Sequence, residues 1–237
     1  MQCLILAGGL ATRMRPLTER IPKALIPVAG RPFVDHQLDW LAGHGVTEVV
    51  LSIGYRGDEI RAHVGDRTAA GLGVRYVDEG SDLRGTAGAL RLALDEGVLE
   101  ERFLVTYGDS FLPIDFGVVF RAFADGGAPA LMTVFRNYGR WDQSNVIFES
   151  GRVVLYDKQR RGRPAADFAY IDYGLSALER RVIADEIPAG TKADLAELFF
   201  ALSRRGELAG FEVQERFYEI GSPEGLEDFT GWLRANP

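Results

Sequence analysis

Strand-length apolar runs recur through the first half of the chain, and segments of helical period alternate with them. Residues 2–7 read as a buried strand, followed by a long loop over residues 8–31. Residues 33–42 place Phe33, Leu38 and Leu41 on one helical face. Glu48–Ile53 is a second strand, residues 56–64 a short helix and residues 74–78 a third strand. A helix over residues 86–94 and a strand over residues 102–107 follow. Repeated strand–helix–strand order predicts a mostly parallel sheet with helices on both faces, an α/β fold. Ligands of such sheets bind beyond the carboxyl ends of the strands. Two of those ends carry Gly8-Gly9 and Gly108-Asp109.

After about residue 130 the pattern changes. Residues 130–136, 144–149, 152–157 and 167–178 predict strands separated by Gly-rich turns. Residues 192–203 form an amphipathic pattern, residues 208–213 and 216–220 are short strands, and residues 223–233 a helix opened by proline. No Pro/Ser-rich linker, fixed repeat or low-complexity tract interrupts the chain. The expectation is one domain over residues 1–237: a first part to about 130, and a smaller substrate-side lobe from about 131.

Composition narrows the partners. Lys and Arg number 27 against 34 Asp and Glu, a formal charge of −7, which argues against a general nucleic-acid binder. A local cluster can still hold phosphate, and Arg13, Arg15, Arg20, Lys23 and Arg31 form one near the start. No apolar run is long enough to span a bilayer. Met1 leads straight into strand residues without a basic signal region, so the expectation is a cytoplasmic protein with no membrane partner. The lone Cys3 excludes a disulfide within the chain.

The candidate chemistry starts at Leu6-Ala7-Gly8-Gly9-Leu10-Ala11-Thr12-Arg13. Adjacent glycines let the backbone approach a ligand and offer N–H groups to phosphate. Thr12 adds a hydroxyl and Arg13 a fork of donors. Lys23 follows between Pro22 and Pro27. Neither the Walker nor the dinucleotide glycine pattern is present. A glycine turn with solvated arginines would explain Gly8-Gly9 alone, but not the whole string through Arg31-Pro32.

The string resembles the sugar-1-phosphate nucleotidylyltransferase family, whose members carry Leu-Ala-Gly-Gly-x-Gly-Thr-Arg and then Pro-Lys-x-x-x-Pro-Val. Within the family it resembles heptose and mannose 1-phosphate guanylyltransferase-like members. The resemblance implies a Rossmann-like, mixed but mostly parallel sheet and a Mg²⁺-dependent reaction. In that reaction a nucleoside triphosphate and a sugar 1-phosphate give a nucleotide-sugar and pyrophosphate. It implies that Leu6, Ala7, Gly8, Gly9 and Thr12 wrap the nucleotide, that Arg13 neutralises pyrophosphate, and that Lys23 holds phosphate at the reacting centre. Gly85 and Thr86, in Arg84-Gly85-Thr86-Ala87-Gly88, match the segment beside the nucleobase; a simple helix cap is the alternative. Gly108 and Asp109 match the Gly-Asp that supplies a metal ligand. Glu219, in Glu219-Ile220-Gly221-Ser222-Pro223, stands where the family has a second metal-binding aspartate. Ala11 replaces a usual glycine. Lys158 takes the place of a lysine that contacts sugar phosphate, and Asp172 and Gly174 lie where relatives bind the sugar. For Lys158 and Asp172 an ordinary surface lysine and strand aspartate are the alternatives. His36, His44 and His63 lie away from these motifs and receive no catalytic role.

Three other functions stay open. A catalytically weak relative that binds nucleotide-sugar and regulates a partner would fit Ala11 and Glu219. Muramic-acid or glucose 1-phosphate uridylyltransferase-like specificity is the alternative to a heptose- or mannose-like sugar. A glycosyltransferase would want a second aspartate after Asp109, where Ser110-Phe111 stand.

Overall fold

The computed structural model describes residues 1–9, 14 and 16–236. The first half follows the expected alternation. Strand β1 (Gln2–Leu6) is followed by a small hairpin, β2 (Pro27–Val28) with β3 (Arg31–Pro32), and by helix α1 (Phe33–Gly43). Then come β4 (Glu48–Ile53), α2 (Gly57–Val64), β5 (Gly73–Asp78), α3 (Gly85–Asp95) and β6 (Arg102–Tyr107). The second half comprises β7 (Ser110–Phe111), α4 (Phe116–Gly126), β8 (Ala130–Arg136), β9 (Val146–Glu149), β10 (Arg152–Tyr156) and β11 (Tyr170–Glu179). It continues with α5 (Arg180–Glu186), α6 (Leu195–Arg205), β12 (Leu208–Val213), β13 (Tyr218–Glu219) and α7 (Pro223–Ala235). Helices α4 and α5 were not among the expected elements. The signals for α4 lie at its ends: Asp115 accepts a bond from the Val118 amide, and Gly127 stops the helix at φ 71°. The helix expected from residue 192 begins at Leu195, because the Asp194 carboxylate caps the Ala196 amide.

One nine-stranded sheet runs through both halves in the order β5-β4-β1-β6-β11-β8-β12-β10-β9. β5, β4, β1 and β6 are mutually parallel. β11 then inserts antiparallel between β6 and β8, and β12 runs parallel to β8. This is the mixed, largely parallel sheet of an α/β fold. Its two faces are packed by separate apolar clusters, one around Cys3, Ile5, Val49 and Leu51, the other around Leu4, Val50, Leu90 and Phe103. Residues 3, 5, 49 and 51 alternate with 4 and 50 across the pleat, as buried parallel strands require.

A third cluster lies to one side. Met14, Ile26, Val28, Phe33, Phe111, Ile220 and Phe229 are all buried together, with Phe111 4.6 Å from Phe229 and 5.0 Å from Trp232, ring centre to ring centre. It ties α7 to the segment before α1 and sets β13 against β7, with Glu219 opposite Ser110. Among the described residues no helix is long and apolar enough to cross a membrane.

Candidate active site

The site forms where β1 and β6 end side by side. Leu6 pairs with Tyr107, and the Gly108 amide donates to the Leu6 carbonyl at 2.9 Å. A side chain on Gly108 would meet the Ala7 Cβ at 2.8 Å, so the two turns touch only because residue 108 is glycine. Beyond them opens a cavity of about 390 Å³. Its walls include Leu6, Ala7, Gly8, Gly9, Lys23, Gly85, Thr86, Gly108 and Asp109. Seven residues expected at the nucleotide (Leu6, Ala7, Gly8, Gly9, Gly85, Thr86 and Gly108), together with Lys23 and Asp109, therefore line one cavity. Thr12, Arg13 and Ala11 lie outside the described residues.

Lys23 sits in a single helical turn, Lys23–Leu25, and its ammonium is ion-paired with the Asp109 carboxylate. The lysine side chain is 15% exposed and the aspartate 32%, so the pair is screened from water on one side and open to the cavity on the other. β13 reaches the same point from the far end of the chain: the Ile220 amide donates to the Asp109 carbonyl at 2.9 Å. That bond and the Glu219–Ser110 pairing bring the two carboxylates predicted to share a metal to one wall.

A second cavity of about 560 Å³ adjoins the first and shares Thr86, Tyr107, Asp109 and Gly221 with it. Lys158, Asp172, Gly174 and Glu219 line it. Here β11 breaks register between Asp172 and Ser176, with Gly174 at φ 103°. Thr133 Oγ1 donates to the Leu175 carbonyl at 2.6 Å and accepts from the Leu175 amide at 3.3 Å, replacing ladder bonds lost to the bulge. The Asp172 carboxylate accepts from the Gly174 amide at 3.0 Å. Burial pushes its carboxyl up to about 6, against the pull of that amide and of the Lys158 ammonium. Lys158 is itself positioned: buried Asp157 accepts from the amides of Gln159 (3.0 Å) and Arg161 (2.5 Å), folding residues 157–161 into a tight turn.

Gly85 and Thr86 line the first cavity, but their local reason differs from an open berth for a base. A side chain on Gly85 would meet the Ala193 carbonyl at 2.5 Å. The Ala87 and Gly88 amides already donate to that carbonyl, at 3.0 and 3.2 Å. Thr86 Oγ1 donates to Asp194 and accepts from the Leu195 amide. The start of α3 is thus docked against the start of α6, and the amides of Ala87 and Gly88 are committed.

Several lining residues escaped the sequence reading. Glu79 directly follows β5 as Asp109 closely follows β6, so the strand-end rule pointed to it. Its carboxylate accepts from Ser52 Oγ at 3.2 Å and from the Arg84 amide at 2.8 Å. Asp194, Trp141 and Arg216 line the second cavity through tertiary placement, for which no local motif existed. The three histidines make structural contacts: His36 with the Val28 carbonyl, His44 with the Trp40 carbonyl and His63 with Asp35.

Glycine turns, a lysine and carboxylates at parallel strand ends define an α/β protein that handles phosphate esters. The nucleotidyl transferase family pattern matches residues 2–144, and the chain belongs to that family. N-acetylmuramate alpha-1-phosphate uridylyltransferase of Caulobacter vibrioides is 32% identical over 228 residues, covering 93% of this chain and 92% of that one. Mannose-1-phosphate guanylyltransferase of Mycobacterium tuberculosis is 29% identical over 245 residues, covering 100% of this chain and 67% of that one. The chain spans only about half the length of some other curated relatives. In fold it resembles HddC from Yersinia pseudotuberculosis, solved with GMP-PN, with a TM-score of 0.78 at 24% identity over 98% of this chain and 99% of that one.

Proposed function

We propose that this chain is a Mg²⁺-dependent sugar-1-phosphate nucleotidylyltransferase. The observation that carries the reading is the pair of adjoining cavities meeting at Asp109, with Lys23 on one side and Lys158 on the other. A sugar phosphate is ionised near neutral pH and needs no enzyme nucleophile. Its oxygen forms a bond to the α-phosphorus of the triphosphate, the bond from that phosphorus to the β-phosphate oxygen breaks, and pyrophosphate leaves with the electron pair. Alignment and charge relief are what the protein supplies. Lys158, beside Asp172, would hold the attacking phosphate. Lys23 would hold the phosphate under attack, and the turn at Gly8-Gly9 would receive the nucleotide.

Asp109 and Glu219 suit a hard cation, since both are carboxylates on one wall. Among the described residues no third His, Cys, Asp or Glu joins them in a cluster, and Mg²⁺ typically takes one or two carboxylates and completes its shell with phosphate and water. Bound there, Mg²⁺ supplies neutralisation of phosphate oxygen charge.

A heptose- or mannose-like sugar is favoured by the first 32 residues and supported by the likeness to the mycobacterial enzyme named for mannose 1-phosphate. A second reading, muramic acid 1-phosphate with a uridine nucleotide, is favoured by the match over 92% of the Caulobacter protein. Testing every nucleoside triphosphate against several sugar 1-phosphates, read by pyrophosphate release, decides between them. Silence across the whole panel would leave a nucleotide-sugar-binding regulator as the better reading.

Lys23→Ala should lower turnover by about 10²-fold or more, and Lys23→Arg should restore only part of it. An ammonium is a compact charge, and the wider guanidinium cannot occupy the same turn between Pro22 and Leu25. Full activity of the arginine variant would show that any positive charge serves.

Asp172 should make sugar binding sensitive to pH. Below about pH 6 its carboxyl is neutral, and above that it is ionised and a stronger acceptor for sugar hydroxyls. The ratio of KM for sugar 1-phosphate between Asp172→Asn and the parent should therefore be near one at low pH. It should rise to about 10-fold above neutrality. Taking the ratio cancels titration of the substrate itself, and a flat ratio across the range would remove Asp172 from sugar recognition. The same shift acts on the fold with defined sign: stability falls as pH rises from the unfolded value of 3.8 toward about 6, because the folded chain binds more protons there.

A further inference from the structure

Helix α1 carries one polar residue on its buried face. Phe33, Val34, Leu38 and Leu41 pack there, and Gln37 among them is only 5% exposed. Its Nε2 donates to the Tyr107 carbonyl and to the Ser110 carbonyl, both at 2.8 Å. Those carbonyls flank Gly108-Asp109, so a single amide group holds both ends of the turn between β6 and β7. Its Oε1 is buried without a partner among the described residues. An unpaired buried acceptor costs stability, yet both hydrogens of the amide go to the turn. Gln37 therefore serves the turn while its own acceptor goes unmet.

The same helix also grips the segment that bears Lys23. The Phe33 amide donates to the Ile26 carbonyl at 3.0 Å, and the Ile26 amide donates to the Lys23 carbonyl at 3.1 Å. His36 bonds the Val28 carbonyl at 2.9 Å. Phe33 and Gln37 stand four residues apart on one helical face. One turn of α1, rising about 6 Å, thus joins the turn carrying Lys23 to the turn carrying Asp109. The ion pair between them closes a ring whose stiff member is the helix.

We infer that Gln37 is a positioning residue: through its amide, α1 sets the distance and direction of Asp109 from Lys23, and so how the two face the reacting phosphates. Gln37 itself lines neither cavity. The inference rests on the nucleotidylyltransferase reading and adds to it a residue from outside the site.

The test sets Gln37→Met beside Gln2→Met in the full chain. Methionine is close to glutamine in length but has no amide hydrogens. Gln2 is a matched control: it is 1% exposed, its Nε2 donates to Glu48 and to the Val98 carbonyl, and it lies at the end of β1 away from the site. Gln37→Met should lower kcat by about 10- to 100-fold, with little change in KM for the nucleoside triphosphate. Hydrogen exchange should quicken by about 10-fold at the Gly108 amide and at the Ile220 amide, which bonds the Asp109 carbonyl. Gln37→Asn keeps the amide on a shorter stem and should retain part of kcat; if Gln37→Met does not fold, it carries the same comparison. Gln2→Met should lose similar stability in urea but keep the parent's kcat and the parent's exchange at those two amides. A Gln37→Met enzyme with the parent's kcat overturns the inference. So does an equal loss of kcat in Gln2→Met, or exchange that quickens evenly across the sheet. A parent chain that releases no pyrophosphate with any substrate pair overturns the nucleotidylyltransferase reading instead, and exchange at the two amides still decides whether Gln37 fixes the turn.

Discussion

Asp109→Asn should reduce kcat by about 10²- to 10³-fold while the chain remains folded. Asparagine keeps the size and one acceptor, so the strand end, the Ile220 amide bond to the 109 carbonyl and the cavity wall are retained. What goes is the charge that anchors Mg²⁺ in the proposed reaction and holds Lys23 in place. Because one carboxylate serves both, the Lys23→Ala and Asp109→Asn losses should combine to less than their product. Glu219 offers the comparison. Glu219→Ala should raise the Mg²⁺ requirement more than Glu219→Asp, whose shorter carboxylate stays on the same wall but reaches the ion less well. A Glu219→Ala enzyme with the parent's rate and Mg²⁺ dependence would rule out the two-carboxylate site and leave Asp109 acting alone.

Gly225→Ala should cost about 2–3 kcal/mol of stability and disturb the metal side of the site together. Gly225 lies in the first turn of α7, where its amide donates to Ser222 Oγ at 3.1 Å. A methyl group there would run into the Glu219 carbonyl oxygen. Backbone has nowhere to rotate to, so β13 must move away from α7 and carry Glu219 and Gly221 with it. Urea unfolding reads the first effect and a Mg²⁺ titration of activity reads the second. Gly231→Ala in the same helix supplies the control: nothing lies within 4 Å of the added carbon, and the helix should gain about 0.5–1 kcal/mol. Equal behaviour of the two variants would show that helix propensity alone is being measured.

The parallel half of the sheet was legible because buried parallel strands are continuous apolar runs bounded by glycine turns. Residues 48–53 and 102–107 came out of the sequence with the observed limits. Sheet order was not legible. Nothing local says that β11 must slide between β6 and β8, since that depends on both faces being covered at once. The β-bulge that shapes Asp172 and Gly174 was equally hidden, because its lost ladder bonds are replaced by Thr133, about forty residues away. In the site, residues at strand ends could be named in advance and are assembled as expected. Gly85, matched to the segment beside the nucleobase, does line the first cavity, but what demands glycine there is close packing on the Ala193 carbonyl, which no local pattern shows. Glu79 obeyed the same strand-end rule and was overlooked. Arg216 could not be anticipated, because its place against Trp141, Tyr218 and Asp228 is set only by folding.

The late position of β13 and α7 has a consequence for synthesis. The wall bearing Asp109 leaves the ribosome well before Glu219 and Phe229 exist. At roughly 5–20 residues per second the intervening stretch takes about ten seconds to translate. During that interval Phe33, Phe111, Ile26 and Val28 have no Phe229 or Trp232 to cover them. A nascent chain stalled ahead of α7 therefore displays an aromatic patch beside a half-built phosphate site, which is the form a holdase chaperone would capture.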